Sequence, residues 1–374
     1  MSGLAGRIAE RIRREGPLRF DRFQDAALYD PEGGYYERPG RVGRGGDFVT
    51  ASTWHPAFAR AIARVARTVR GEIGEPVDVV DVGSGEGELL REMNRALDDS
   101  PGDGCGFRLS GVERSGARRS RARETLPGAS WFPSLEEIPP VSGVVVAYEL
   151  FDALPVRALL FEGGRLRERV VTVAPERDDF AWGEAECPDG EEILARLRAR
   201  GVTLRPGQIL EIRPAAFSLA SSLSKRISRG LLLVFDYGAS ARALYGPARP
   251  HGTLEAFRAH DVSRDVLSDP GSRDLTAWVD FTEIGEALSA GGLEVLPLVS
   301  QARFLAAAGI GEEIAAAEAL PTEAERLVER HALGELVAPG GMGESIRVLV
   351  ASRGVETARR FVEWPIGGIV PSNH

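Results

Sequence analysis

The chain has 374 residues, 43% hydrophobic and 27% charged, which is ordinary for a soluble globular protein and long enough for one large domain with insertions or for two. A net charge of −9 sets the average surface against nucleic acid and anionic membranes, and no run of about 18 apolar residues marks a membrane span. Cys105, Cys187 and the five histidines fit no metal-ligand spacing, so no metal site is expected, and so few cysteines suit a reducing cytoplasm.

The N-terminal LAGRIAERIRREG is amphipathic, with Leu4, Ile8 and Ile12 on one face. Glu10 and Glu15 argue against a transit peptide, and Gly16-Pro17 ends an ordinary helix. Residues 1–70 read as a helical cap around the glycine-rich loop GGYYERPGRVGRGGDFVTAS, and residues 71–374 as the main domain. There VDVVDV predicts a strand and ELLREMNRAL a helix, with Leu89, Leu90, Met93 and Leu97 on one face. FRLSGVE is a second strand, SGARRSRARETL a second helix and ASWF a short third strand. GVVVAYE is a fourth strand, apolar enough to be buried on both faces. LLLVFDYG, GLEVLPLV and SIRVLVAS complete the set. Such alternation predicts an α/β fold, a mainly parallel sheet doubly wound by helices. Residues 155–229 form an insertion with strand-like (RLRERVVTV) and helical (EEILARLRAR) pieces, and 239–280 a loop-rich crossover.

VVDVGSGEGELL holds the ligand signal. Asp81, Gly83, Gly85 and Gly87 give D-x-G-x-G-x-G, with Ser84 inside the turn. A dinucleotide fingerprint wants glycine or alanine where this chain has Glu88, and a phosphate loop wants a lysine that is absent. Asp81, Glu86 and Glu88 would oppose a pyrophosphate. They suit S-adenosylmethionine, which carries a sulfonium and an ammonium and no phosphate. Glu113, ending the second strand, is placed to accept both ribose hydroxyls of a nucleoside.

The acceptor belongs beyond the fourth strand, in YELFDALP. Glu149 and Asp152 there suit a guanidinium, a planar fork of donors. Gly46, Asp47, Phe48 and Thr50, in GRGGDFVTAS, are candidates for a lid over the cofactor, and His251 or His260 for a general base.

Taken together, the chain resembles the MidA/NDUFAF7 family of S-adenosylmethionine-dependent methyltransferases. The likeness runs through ALYDPEGGYY, GRGGDFVT, VDVGSGEG, AYELFDALPV, FDYG, HGTLEAFRAH, DLTAWVDF, QARFL and MGESIRVL. It implies a class I methyltransferase-like, seven-stranded sheet with an N-terminal helical cap, and transfer of methyl to a protein arginine. The glycine loop and Asp81 would hold the methionine part, Glu113 the ribose, and the segment with Trp131, Ser134 and Leu135 the adenine. Glu149 and Asp152 would hold the acceptor. The chain departs from the family pattern at Asp81 and Ser84, at Ala51, Ser52 and Thr53, and at Arg213, a cation unhelpful to a cationic acceptor if it points inward. Other readings of the scaffold are a small-molecule or carboxyl methyltransferase and a non-catalytic assembly factor; a dehydrogenase is disfavoured by Glu88. The acceptor is left open between protein and small molecule, with a homodimer compatible with the sequence.

Overall fold

Runs of β-branched residues with no polar face make strands that must be covered on both sides. In the computed structural model, which describes residues 3–37, 54–74, 76–98, 106–174, 179–258 and 261–363, these runs form one central sheet. Its main strands are β1 (Val77–Val82), β2 (Phe107–Val112), β3 (Ser130–Phe132), β4 (Val141–Tyr148), β5 (Ile227–Ala239), β6 (Glu294–Val295) and β7 (Ile346–Arg353). They lie in the order β3-β2-β1-β4-β5-β7-β6. Neighbours from β3 to β5 are parallel; β7 is antiparallel to β5, and β6 to β7. Strand order reverses between β1 and β4, which opens a ligand crevice at their carboxyl ends.

Side chains alternate between two cores. Val79, Val144 and Val146 pack with the helices Pro56–Ile73 and Glu88–Asp98, through Phe58, Ile62, Leu90 and Met93. Val80, Val145 and Ala147 pack with the helices Pro214–Arg226 and Phe281–Ala290, through Leu223, Ile284 and Leu288. GLEVLPLV, expected as one strand, is two short pieces, β6 and Val299–Ser300. Pro297 between them has no N–H to give the ladder.

The insertion folds as its own antiparallel sheet of Arg157–Glu162, Arg165–Val173, Phe180–Glu186 and Gln208–Ile212, with Leu18–Arg19 added beside Arg165–Val173. The crossover contributes three short strands, Glu255–Arg258, Asp261–Ser263 and Asp274–Thr276. The helices Gly3–Glu15 and Phe20–Tyr29 share one core with both: Phe20, Phe23 and Leu28 pack with Val156, Val171, Ala256 and Leu275. Gln24, fully buried, ties the three segments together. Its amide nitrogen donates to Leu275 O (2.7 Å) and its oxygen accepts from Val156 N (2.9 Å). This junction carries Tyr29 and Tyr36 to the cavity described below. Gln24→Leu keeps the volume but leaves a buried N–H and a buried C=O without partners, so urea denaturation should show a loss of about 2–4 kcal/mol.

Candidate active site

The cavity is built on the loop after β1. Gly83, Gly85 and Gly87 all take positive φ (80°, 57° and 82°), which glycine adopts without the Cβ penalty. The turn is tied to β2, since Gly83 N and Ser84 N both donate to Val112 O (2.8 and 3.1 Å). A Cβ on Gly83 would come within 2.8 Å of Leu150, and one on Gly87 within 2.6 Å of Trp131, whereas Gly85 faces open space. Trp131 therefore lies under the loop. It belongs to the core, its indole N–H donates to Leu126 O (3.3 Å), and it does not line the cavity. Of the residues expected around an adenine, Leu135 lines the cavity with Pro133 and Glu136, while Ser134 precedes the short turn Leu135–Glu137 and stays off the lining.

Glu113 follows β2 directly. One carboxylate oxygen accepts from Gly85 N (2.9 Å), the other from Ser115 N (2.7 Å). Each oxygen keeps a second lone pair for a ligand hydroxyl. Burial pushes this carboxyl up, and the two backbone N–H groups pull it back. Asp81, at the end of β1, is pushed up to about 7, first by burial and then by Glu113 and Glu88. Glu88 is itself raised by burial and by Glu86. The cavity of about 510 Å³ is thus lined by desolvated carboxyls with a shortage of cations, which suits a ligand of positive charge.

Glu149, just after β4, also lines the cavity. Its φ of 46° is a left-handed conformation rare for a residue with a side chain. Its N–H donates to Phe235 O of β5 (2.8 Å), and one of its carboxyl oxygens is buried with no hydrogen-bond partner among the described residues. Burial and then Asp152 push the carboxyl well above the usual range. Asp152, expected beside it on the acceptor, does not line the cavity: its carboxyl is buried, pushed up to about 6 by desolvation, with Arg213 pulling it down. Arg213 does not point at the acceptor either. It is buried, and its guanidinium donates to four backbone oxygens, those of Leu154, Asp152, Ala277 and Trp278.

Several lining residues had no chemical reading in the sequence. Tyr29 and Tyr36 reach the cavity from the N-terminal segment, with Arg114 over one ring (4.3 Å) and Arg118 over the other (5.1 Å). The Tyr36 hydroxyl lies 2.9 and 3.0 Å from the two carboxylate oxygens of buried Asp274, whose carboxyl is pushed up to about 7, mainly by burial. Their only sequence signal was membership of ALYDPEGGYY and DLTAWVDF. His251 is exposed, bridges to Ile209 and lies off the cavity lining. Gly46, Asp47, Phe48, Thr50, the Ala51–Thr53 stretch and His260 lie outside the described residues. Among the described residues no group of three or more His, Cys, Asp or Glu could hold a metal ion, and no helix is long and apolar enough to cross a membrane.

Known proteins match this arrangement. Residues 57–299 match a family of S-adenosyl-L-methionine-dependent methyltransferases. A Drosophila melanogaster protein named protein arginine methyltransferase NDUFAF7 homolog, mitochondrial, is 28% identical over 98% of this chain and 88% of its own. The human protein of that name is 25% identical over 80% of this chain and 72% of its own. A Burkholderia thailandensis protein crystallised with S-adenosylhomocysteine is 31% identical, with a TM-score of 0.85 over 94% of this chain and 92% of its own. The chain belongs to the NDUFAF7-like family of S-adenosylmethionine-dependent methyltransferases.

Proposed function

We propose that this methyltransferase acts on a guanidinium nitrogen of a protein arginine held at Glu149. The observation that carries this reading is Glu149 itself, strained at its backbone, lining the cavity, with a buried carboxyl oxygen that has no hydrogen-bond partner among the described residues. Strain of this kind persists where surrounding structure holds it, and it clusters at functional sites. A planar cation with several N–H donors satisfies such an oxygen. The names of the Drosophila and human relatives point the same way.

S-adenosylmethionine supplies, when bound, an electrophilic methyl group on a cationic sulfur. Asp81 and the backbone of Gly83, Ser84, Gly85 and Gly87 would hold its amino-acid part, Glu113 both ribose hydroxyls, and Pro133 and Leu135 one side of the adenine. Trp131 acts from beneath, by fixing the loop. Glu149 orients the acceptor nitrogen and takes the proton that this nitrogen loses as it gains the methyl. A carboxyl raised by burial is a better base than an exposed one. Most of the rate comes from alignment, which in well-ordered pairs supplies about 7–11 kcal/mol.

Two tests follow. Asp81 holds its proton up to about 7 in the ligand-free protein but releases it near 3.8 when unfolded. Its contribution to stability is therefore full below 3.8 and is lost as pH rises through about 7. The cofactor's ammonium selects the anion, so affinity for S-adenosylhomocysteine should climb with pH up to about 7 and then level off. Asp81→Asn should abolish this climb and weaken binding by about 10–100-fold in titration calorimetry. An unchanged pH profile in the variant would exclude Asp81 as the ammonium partner.

The acceptor is tested with methyl-labelled S-adenosylmethionine and lysate from cells lacking the protein. Label should appear in methylarginine after acid hydrolysis of the protein fraction. Glu149→Gln should cut it by about 10²-fold with S-adenosylhomocysteine binding retained. Label in base-labile esters or in the small-molecule fraction would overturn the arginine assignment.

A further inference from the structure

A residue with a side chain at φ 46° needs something to hold it there, because its Cβ crowds the backbone in the left-handed region. Two buried ions straddle the turn that follows Glu149. Asp236, at the carboxyl end of β5 and fully buried, takes its N–H groups. One carboxylate oxygen accepts from Phe151 N (2.9 Å) and Asp152 N (3.2 Å), the other from Tyr237 N (2.9 Å). Arg213, at the start of the helix Pro214–Arg226, takes the carbonyls. It donates to Asp152 O (3.2 Å) and Leu154 O (3.0 Å), and on the crossover to Ala277 O (2.7 Å) and Trp278 O (3.3 Å). β5 also accepts the Glu149 N–H through Phe235 O (2.8 Å). Neither Asp236 nor Arg213 lines the cavity.

We infer that Arg213 and Asp236 are positioning residues for methyl transfer, a two-ion brace that fixes the Glu149 turn without touching acceptor or cofactor. The inference rests on the role proposed above for Glu149. It also gives a purpose to the arginine in EIRP, which otherwise stands as an unexplained cation behind an acceptor site. The pairing is complementary in kind. A carboxylate has only acceptors and takes N–H groups, whereas a guanidinium has only donors and takes carbonyls. Each ion lowers the cost of burying the other. In Asp236→Asn one oxygen is replaced by an amide nitrogen, which must face either Tyr237 N–H or the two N–H groups of the turn. Arg213→Lys keeps the charge and loses the fork that reaches several carbonyls at once.

The experiment uses the full chain as Asp236→Asn, Arg213→Lys and Glu149→Gln, singly and in pairs with Glu149→Gln. Three quantities are read: S-adenosylhomocysteine affinity, hydrogen–deuterium exchange of the peptide 149–154, and methylarginine formed in the lysate assay. Each brace variant should speed exchange in 149–154 by about 10-fold or more, leave exchange in the glycine loop unchanged, and hold cofactor affinity within about 3-fold. Methyl transfer should fall by about 10–100-fold, with little further loss when Glu149→Gln is already present. Two variants are used so that a failure of Asp236→Asn to fold leaves Arg213→Lys to decide. Unchanged exchange in 149–154, or losses that multiply with Glu149→Gln, would overturn the brace. Full activity of Glu149→Gln on its own would instead sink the proposed role of Glu149, while the exchange data would still report on the brace.

Discussion

The burial of like charges at the carboxyl ends of parallel strands governs this molecule. Asp81 ends β1, Glu113 follows β2, Glu149 and Asp152 follow β4, and Asp236 lies near the end of β5. Desolvation raises every one of these carboxyls, and Arg213 is the cation buried among the last of them. A carboxylate moved out of water without a partner destabilises the fold unless it takes up a proton. The free protein therefore keeps a strained, partly protonated site, and a cationic guest offsets part of that cost. The same imbalance that weakens the empty fold gives selectivity for positive ligands and disfavours phosphate-bearing ones.

A second structural unit borders the site. The helices Gly3–Glu15 and Phe20–Tyr29 form one core with the insertion and the crossover, with Gln24 at its junction, whereas the helix Pro56–Ile73, which begins inside the expected cap of residues 1–70, packs on the central sheet. Tyr29 connects it to the acceptor turn, its hydroxyl donating to Ala153 O (3.1 Å). Ser115 Oγ donates to Glu37 (3.1 Å), and the arginines over the two tyrosines add further links to the cofactor side. The cavity thus lies between two cores that contact each other through polar and aromatic groups, an arrangement common for ligand sites between structural units.

What the sequence could reveal follows from the range of each interaction. The glycine loop was legible because its geometry is local: three positive-φ glycines within five residues, an acid before them and an acid at the end of the next strand. The strands of the sheet were legible for the same reason, and GLEVLPLV failed only where proline breaks a ladder. Trp131 was expected at the adenine as part of the segment that follows the third strand. Yet it pairs in register with Gly111, and a Cβ on Gly111 or Gly87 would collide with its ring. Those two glycines were the available sign that the indole is packed beneath the loop. Tyr36–Asp274 and Gln24–Leu275 join residues more than two hundred positions apart, and no pattern in one sequence reports such contacts.

Arg213 shows how a charge misleads when its donors are not counted. Read as a lone cation, it argues against a cationic acceptor. Read as a guanidinium with five N–H groups, it needs oxygens, and carbonyls at the end of a strained turn are as good as carboxylates. Because it spends its hydrogen bonds on the backbone, its charge is met by Asp236 and Asp152 at longer range. Those two carboxyls therefore compensate the arginine, and Asp236 also takes N–H groups of the turn, which leaves Glu149 as the carboxyl of this group that faces the cavity. A site with a pair of equal acids would divide the acceptor's charge between them. On the role proposed for Glu149, this one would concentrate it on a single strained residue, and the direction of that one carboxyl would decide which nitrogen is aligned.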